Sequence, residues 1–166
     1  MTVFFIQSVK KMTYLCANLK NKKEMIIKNI SIGDELLIGQ VINTNAAWLG
    51  EHLSEVGFQL DSVLTIGDSE KAILDAFNAC MDADLVLVTG GLGPTADDIT
   101  KPTVCKFFNT ELEFCQAAYD NVVSLFKRRG FQMSERNRSQ AMLPKACEYV
   151  PNTYGTAPCM WLEKEG

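Results

Sequence analysis

The apolar run Leu85-Val86-Leu87-Val88 ends abruptly on Thr89-Gly90-Gly91-Leu92-Gly93-Pro94-Thr95-Ala96-Asp97-Asp98-Ile99-Thr100, and this junction limits the fold more than any other stretch. Four aliphatic residues without polar alternation read as a strand buried on both faces, as in a parallel sheet covered by helices. Three glycines within four positions then leave backbone amides uncovered, so a phosphate can approach them closely. Asp97 and Asp98 arrive where a helix should begin. There they can act as N-terminal helix charges, hold a divalent cation or orient a water. An anion cradle beside a carboxylate pair points to phosphoester or pyrophosphate chemistry, with a tight structural turn as the alternative. No Gly-Lys-Ser/Thr follows as in a Walker motif, and the glycine spacing is not that of a dinucleotide fingerprint.

The flanking sequence repeats a strand-then-helix pattern. Residues 25–32 predict a strand stopped by Gly33-Asp34-Glu35, with a second break at Gly39-Gln40. Asn43, Thr44 and Asn45 offer N-caps for a helix that Gly57 ends, with contact of Asn43 and Asn45 to a ribose or base as the less favoured alternative. Residues 58–66 predict a second strand, and Gly67-Asp68-Ser69 turns into a helix with Ile73, Leu74, Phe77, Cys80 and Met81 at helical spacing. The order β-α-β-α-β-α predicts an α/β fold of three layers, α/β/α, around a mostly parallel central sheet. Ligands of such sheets collect at the carboxyl ends of the strands. Gly33-Asp34-Glu35, Gly67-Asp68 and the glycine loop should therefore converge on one edge. Further on, the sequence predicts a short extended piece at 110–114, a helix at 116–129, a polar helix at 134–142 exposing Arg136 and Arg138, and short strands at 149–150 and 159–162. The two arginines read either as a phosphate clamp or as a solvated helix face.

Composition narrows the function classes. The 166 residues suit one domain, 47% hydrophobic and 22% charged. A net charge of −4 and the lack of basic runs interleaved with aromatics argue against a nucleic-acid partner. No apolar stretch is long enough to span a membrane. Six cysteines without a CxxC pair read as buried free thiols of a cytoplasmic protein. The single histidine, His52, gives little support to a His-rich zinc site or a Ser-His-Asp triad and reads as structural. Residues 1–24 carry two lysine clusters and predict a loosely ordered extension, so the domain is expected to cover 25–166.

Four separated motifs carry a family resemblance. Ile32-Gly33-Asp34-Glu35-Leu36-Leu37-Ile38-Gly39-Gln40-Val41-Ile42-Asn43-Thr44-Asn45 resembles the opening signature of the competence/damage-inducible protein A (CinA) family. The stretch 89–100 resembles its second signature. Asn137-Arg138-Ser139-Gln140-Ala141 and Gly155-Thr156-Ala157-Pro158 resemble its third region. The resemblance implies the molybdopterin-binding fold and metal-dependent hydrolysis of ADP-ribose to AMP and ribose 5-phosphate. It implies catalytic roles for Asp98 and Asp68 with a divalent metal on Asp98. From the shared sheet edge, Asp97 is expected to help hold the metal and Glu35 to position a water as a further catalytic residue. A nucleotide or pterin phosphate would be held by Thr89, Gly90, Gly91, Leu92, Gly93, Pro94, Thr95, Gly33, Asn43 and Asn45. A homo-oligomer, dimer or trimer, is expected. Binding without catalysis is the alternative. The sequence lacks the deamidase domain that longer members add, and stops before the family's next strand and its Met-Pro-Gly-Val-Pro loop. A fragment with an unpaired internal sheet edge is therefore the expectation.

Overall fold

Leu85 to Val88 are wholly buried within β4 (Leu85–Gly90), a central strand of a six-stranded sheet, as their unbroken aliphatic run requires. The computed structural model describes residues 1–5, 25–93, 99–132, 135–152 and 154–164. Around β4 the chain forms β1 (Thr2–Phe5), β2 (Ile27–Ile32), α1 (Asp34–Leu37), α2 (Thr44–Glu55), β3 (Ser62–Ile66) and α3 (Glu70–Ala79). It continues through α4 (Thr100–Phe108), β5 (Leu112–Phe114), α5 (Gln116–Arg128), α6 (Glu135–Arg138) and a 3-10 turn at Ser139–Ala141. It closes with β6 (Met142–Pro144), β7 (Glu148–Val150) and β8 (Cys159–Glu163).

The strand order is β3-β2-β4-β1-β8-β7. The first four strands are mutually parallel, and β8 runs antiparallel to both β1 and β7. A separate antiparallel pair joins β5 to β6. Strand alternation divides the core into two faces. On one face Val3, Phe5, Ile30, Ile32, Val86 and Val88 pack with Ile73 and Phe77 of α3 and Val104 and Phe107 of α4. Phe77 stacks on Phe107 with ring centres 4.9 Å apart. On the other face Phe4, Ile27, Leu85 and Leu87 pack with Leu49 and Leu53 of α2. Helices on both faces make the expected three-layer α/β/α fold. Helix starts follow local chemistry: Asn43 and Ser69 accept N–H bonds from Ala46 and Ala72 and so cap α2 and α3.

Four expectations are corrected. Residues 2–5 are not part of a loose extension outside a 25–166 domain. Val3, Phe4 and Phe5 are fully buried, and β1 pairs with β4 from Thr2↔Leu85 to Phe5↔Val88 and with β8 from Thr2↔Glu163 to Phe5↔Met160. The remainder of that extension, 6–24, lies outside the described residues. Nor is an internal edge left open between β4 and β8, because β1 occupies that position. The polar helix over 134–142 ends early, since Met142 to Pro144 pair with Leu112 to Phe114 and this ladder draws the chain out of helical geometry. The second strand also begins at Ser62 rather than Phe58.

Burying a large aromatic side chain in a packed core makes truncation costly. Phe4→Ala is expected to lower stability by about 3–5 kcal/mol in urea unfolding at 25 °C. A loss below about 1 kcal/mol would contradict the placement of β1 within the core.

Candidate functional site

Parallel β2, β3 and β4 end together. Ile32 lies opposite both Ile66 and Gly90, so the turns after the three strands meet at one edge of the sheet. The N–H of Gly33 donates to Ile66 O at 2.9 Å and ties the first two turns. The convergence expected from the β-α-β-α-β-α order is thus realised for Gly33, Glu35, Asp68, Thr89, Gly90, Gly91, Leu92 and Gly93. Pro94, Thr95, Asp97 and Asp98 lie outside the described residues.

Gly90 and Gly91 hold φ of +85° and +64°, a region that other residues rarely adopt. A Cβ on Gly90 would overlap the carbonyl oxygen of Ile32, and one on Gly91 would overlap Thr100 Oγ1. The loop is therefore pressed against β2 and the start of α4. Leu92 turns inward, 3% exposed, while Gly93 is exposed. Leu92 thus anchors the loop, and its contribution to a ligand is confined to the main chain. The Thr89 hydroxyl also turns inward and donates to Ser31 Oγ at 3.2 Å.

The acidic side chains gather beside this loop. A Glu35 carboxylate oxygen lies 2.6 Å from where a Cβ on Gly33 would stand, so glycine makes room for it. Asp34 Oδ1 accepts the backbone N–H of Asp68 at 3.2 Å and lies 2.6 Å from where a Cβ on Gly67 would stand. Partial burial, then the Asp34 and Glu35 charges, push the Asp68 carboxyl above its ordinary value, and a backbone hydrogen bond from Asp34 opposes this. Asp34 was missed as a site residue. Its place in the same turn as Glu35 was the available signal. Among the described residues no three His, Cys, Asp or Glu side chains are grouped as metal ligands.

A buried polar chain runs beneath the edge. Asn43 Nδ2 donates to Ser31 Oγ at 2.9 Å, Ser31 Oγ donates to Asn29 Oδ1 at 2.9 Å, and Asn29 Nδ2 donates to Leu87 O at 2.9 Å. Asn43 Oδ1 meanwhile accepts the Ala46 N–H at 3.1 Å. Asn43 is therefore held as cap and strand tether together, with both side-chain groups engaged, whereas Asn45 is exposed in the first turn of α2. Asn29 and Ser31 were missed, although polar residues inside a strand between apolar neighbours were a readable signal. Gln140 and Lys101 are likewise buried: Gln140 Nε2 donates to Thr156 Oγ1 at 3.0 Å and Lys101 Nζ to Ser139 O at 2.9 Å.

Other candidates resolve more plainly. His52 Nδ1 lies 3.0 Å from Trp48 O and its ring lies against the Trp48 ring, a structural role. The Arg138 guanidinium sits 5.3 Å from the centre of the Phe114 ring. Cys80, Cys105, Cys115, Cys147 and Cys159 are free thiols, and burial pushes Cys147 up to about 12, which makes it a poor nucleophile. Two clefts lie away from the edge. One of about 210 Å³ borders Cys115, Cys147 and Tyr149, and one of about 550 Å³ borders Met25, Phe58, Asp61 and Asp84. Among the described residues no helix is long and apolar enough to cross a membrane.

Residues 28–166 match the family described as "Probable molybdopterin binding domain". A CinA-like protein of Chloroherpeton thalassium is 46% identical over 143 residues, covering 84% of this chain and 33% of that protein. A CinA-like protein of Flavobacterium psychrophilum is 40% identical over 141 residues, covering 82% and 33%. The chain thus spans about a third of the length of these relatives. Among solved structures, the protein CinA of Thermoplasma acidophilum, described as of unknown function, superposes with a TM-score of 0.70 at 31% identity, covering 82% of this chain and 80% of that one. The molybdopterin biosynthesis enzyme MoaB of Thermus thermophilus gives 0.50 at 17% identity over 81% and 86%, a likeness of fold alone.

The acidic cluster sets a pH dependence. The raised Asp68 carboxyl favours its neutral form in the folded state. Its stabilising contribution is therefore full below the unfolded carboxylate pKa and lost as pH rises through the folded value. Asp68→Asn is expected to raise the melting temperature at neutral pH and to change it little in acid, measured by thermal melts across pH. A lower melting temperature at neutral pH would contradict the repulsion from Asp34 and Glu35.

Proposed function

We propose a function from one premise: the chain belongs to the molybdopterin-binding domain family, in its CinA-like branch. The carboxyl edge of β2, β3 and β4 binds a nucleotide- or pterin-type phosphate, and it hydrolyses a pyrophosphate of the ADP-ribose type with a divalent cation. One observation carries this reading. A glycine loop with no room for side chains at Gly90 and Gly91 stands at the same sheet edge as Glu35 and Asp68.

In this reading the main-chain amides of Gly90 to Gly93 hold one phosphate, which cradles of this kind favour. Gly33 makes room for the Glu35 carboxylate at the edge, and exposed Asn45 faces a ribose or base. Asp98, with Asp97 or Asp68, would hold the cation. The hard oxygen donors, and the Asp34 and Glu35 charges that join partial burial in raising the Asp68 carboxyl, fit a cation of the magnesium type. When bound, such a cation neutralises pyrophosphate charge and lowers the pKa of a bound water. Glu35 orients the attacking water. The oxygen of that water joins one phosphorus while its protons pass to solvent, the bridging P–O bond breaks with its electrons staying on the departing phosphate, and the products are AMP and ribose 5-phosphate. A second reading, binding without chemistry, rests on the glycine loop alone, whose main-chain amides would grip a phosphate with or without a cation.

The proposal includes a homo-oligomer. Leu37, Ile38, Val41 and Ile42 are 56, 72, 52 and 81% exposed between Glu35 and Asn43, an apolar surface that a second copy would cover.

Incubation with ADP-ribose, with product analysis by liquid chromatography, tests the reading. AMP and ribose 5-phosphate are expected with magnesium or manganese and not with a chelator. Asp98→Asn should slow the reaction by a factor on the order of 100 or more while keeping the fold. Saturable binding of ADP-ribose without AMP release would favour the second reading, and neither binding nor turnover would overturn both.

A further inference from the structure

β1 is bound on both sides by strands remote in sequence, yet it is not adjacent to β2, the next strand along the chain. Its parallel neighbour β4 begins at Leu85 and its antiparallel neighbour β8 at Cys159. Without β1 the sheet would divide into β3-β2-β4 and β8-β7, leaving two facing rows of unpaired backbone groups. The slot is also lined for apolar side chains on both faces. Phe4 meets Trp161 with ring centres 5.5 Å apart, while Phe5 meets Phe77 at 6.5 Å on the opposite face. Val3, Phe4 and Phe5 have no exposed surface.

The first residue extends the same ladder. Met1 N donates to Lys164 O at 3.1 Å, Lys164 N donates to Met1 O at 3.0 Å, and Thr2 N donates to Asp84 O at 3.0 Å. Met1 and Lys164 are thus a reciprocally hydrogen-bonded antiparallel pair, the kind of rung that flanks a hairpin turn. A peptide bond from Gly166 to Met1 would leave Glu165-Gly166 between them as a two-residue loop, about the shortest that joins antiparallel strands and with glycine at its second place.

We propose that the gap between β4 and β8 is a strand-acceptor slot. It recognises the segment Thr2–Phe5 by its two ladders and three apolar side chains, independently of the peptide link from Phe5 to β2. The partner it fits is an extended segment with this alternation, Val3 and Phe5 to one face and Phe4 to the other. Supplied in trans, such a segment binds by β-augmentation on both edges at once. The inference is independent of the chemistry proposed for the carboxyl edge.

Cutting the full chain at a site-specific protease sequence inserted between Lys11 and Lys20 tests this. The amino-terminal piece is expected to remain with the rest through size exclusion and native mass spectrometry. A labelled peptide of residues 1–8 added in excess should replace it, and the same peptide carrying Phe4→Asp should compete at least about tenfold less well. Separation of the cut piece would overturn the proposal, whether the remainder stays folded or precipitates, as would equal competition by the substituted peptide. A second measurement uses all residues in a new order, beginning at Met25, passing from Gly166 directly into Met1 and ending at Glu24. It is expected to melt within about 5 °C of the parent, and failure to fold would show that the Phe5-to-β2 connection is required.

Discussion

The backbone of Gly90 passes so close to the carbonyl of Ile32 that no side chain fits between them, and the candidate site depends on that contact. It sets β2 and β4 side by side to the last residue of each strand. It also turns the chain through two successive left-handed positions, at Gly90 and Gly91. Any other residue at Gly90 would have to displace β2 or abandon the turn. From this contact follow the level at which the three turns meet, the inward course of Leu92 and the exposed position of Gly93.

Beneath the edge the structure is polar and hydrogen-bonded; at the edge it is acidic. Asn29, Ser31, Thr89 and Asn43 share hydrogen bonds that join β2, β4 and the start of α2, so no member can move alone. Above them Asp34, Glu35 and Asp68 bring like charges together, with the Asp68 N–H bonded to Asp34 and a backbone hydrogen bond from Asp34 to Asp68 in partial compensation. Rigid support below gathered like charge is the arrangement that the proposed cation-assisted site requires.

Much of this was legible because it rests on local patterns. The aliphatic run in β4, the caps Asn43 and Ser69, and the helical spacing of Ile73 and Phe77 each act within a few residues. The parallel order then follows from right-handed crossovers. The convergence of Gly33, Asp68 and Gly90 was legible for the same reason. β1 was not, since Val3-Phe4-Phe5 has no local signal that distinguishes a central strand from an apolar tail. Its partners lie at the far end of the chain, and long-range pairing leaves no mark on a four-residue segment. The break at Met142 escaped for a related reason: the pairing with Phe114 overrides a helical pattern. Asn29 and Ser31 were visible as polar residues, but their partners Leu87 and Asn43 came from other elements.

The central claim is that ligand binds where the carboxyl ends of β2, β3 and β4 meet. Amide chemical-shift mapping of the full chain during titration with ADP-ribose and magnesium tests it most directly. The expected result is saturable shifts at Gly33, Glu35, Asp68 and Gly90 to Gly93. Shifts confined to the cleft of Met25, Phe58, Asp61 and Asp84, at the opposite ends of the strands, would contradict it, as would no shifts at all.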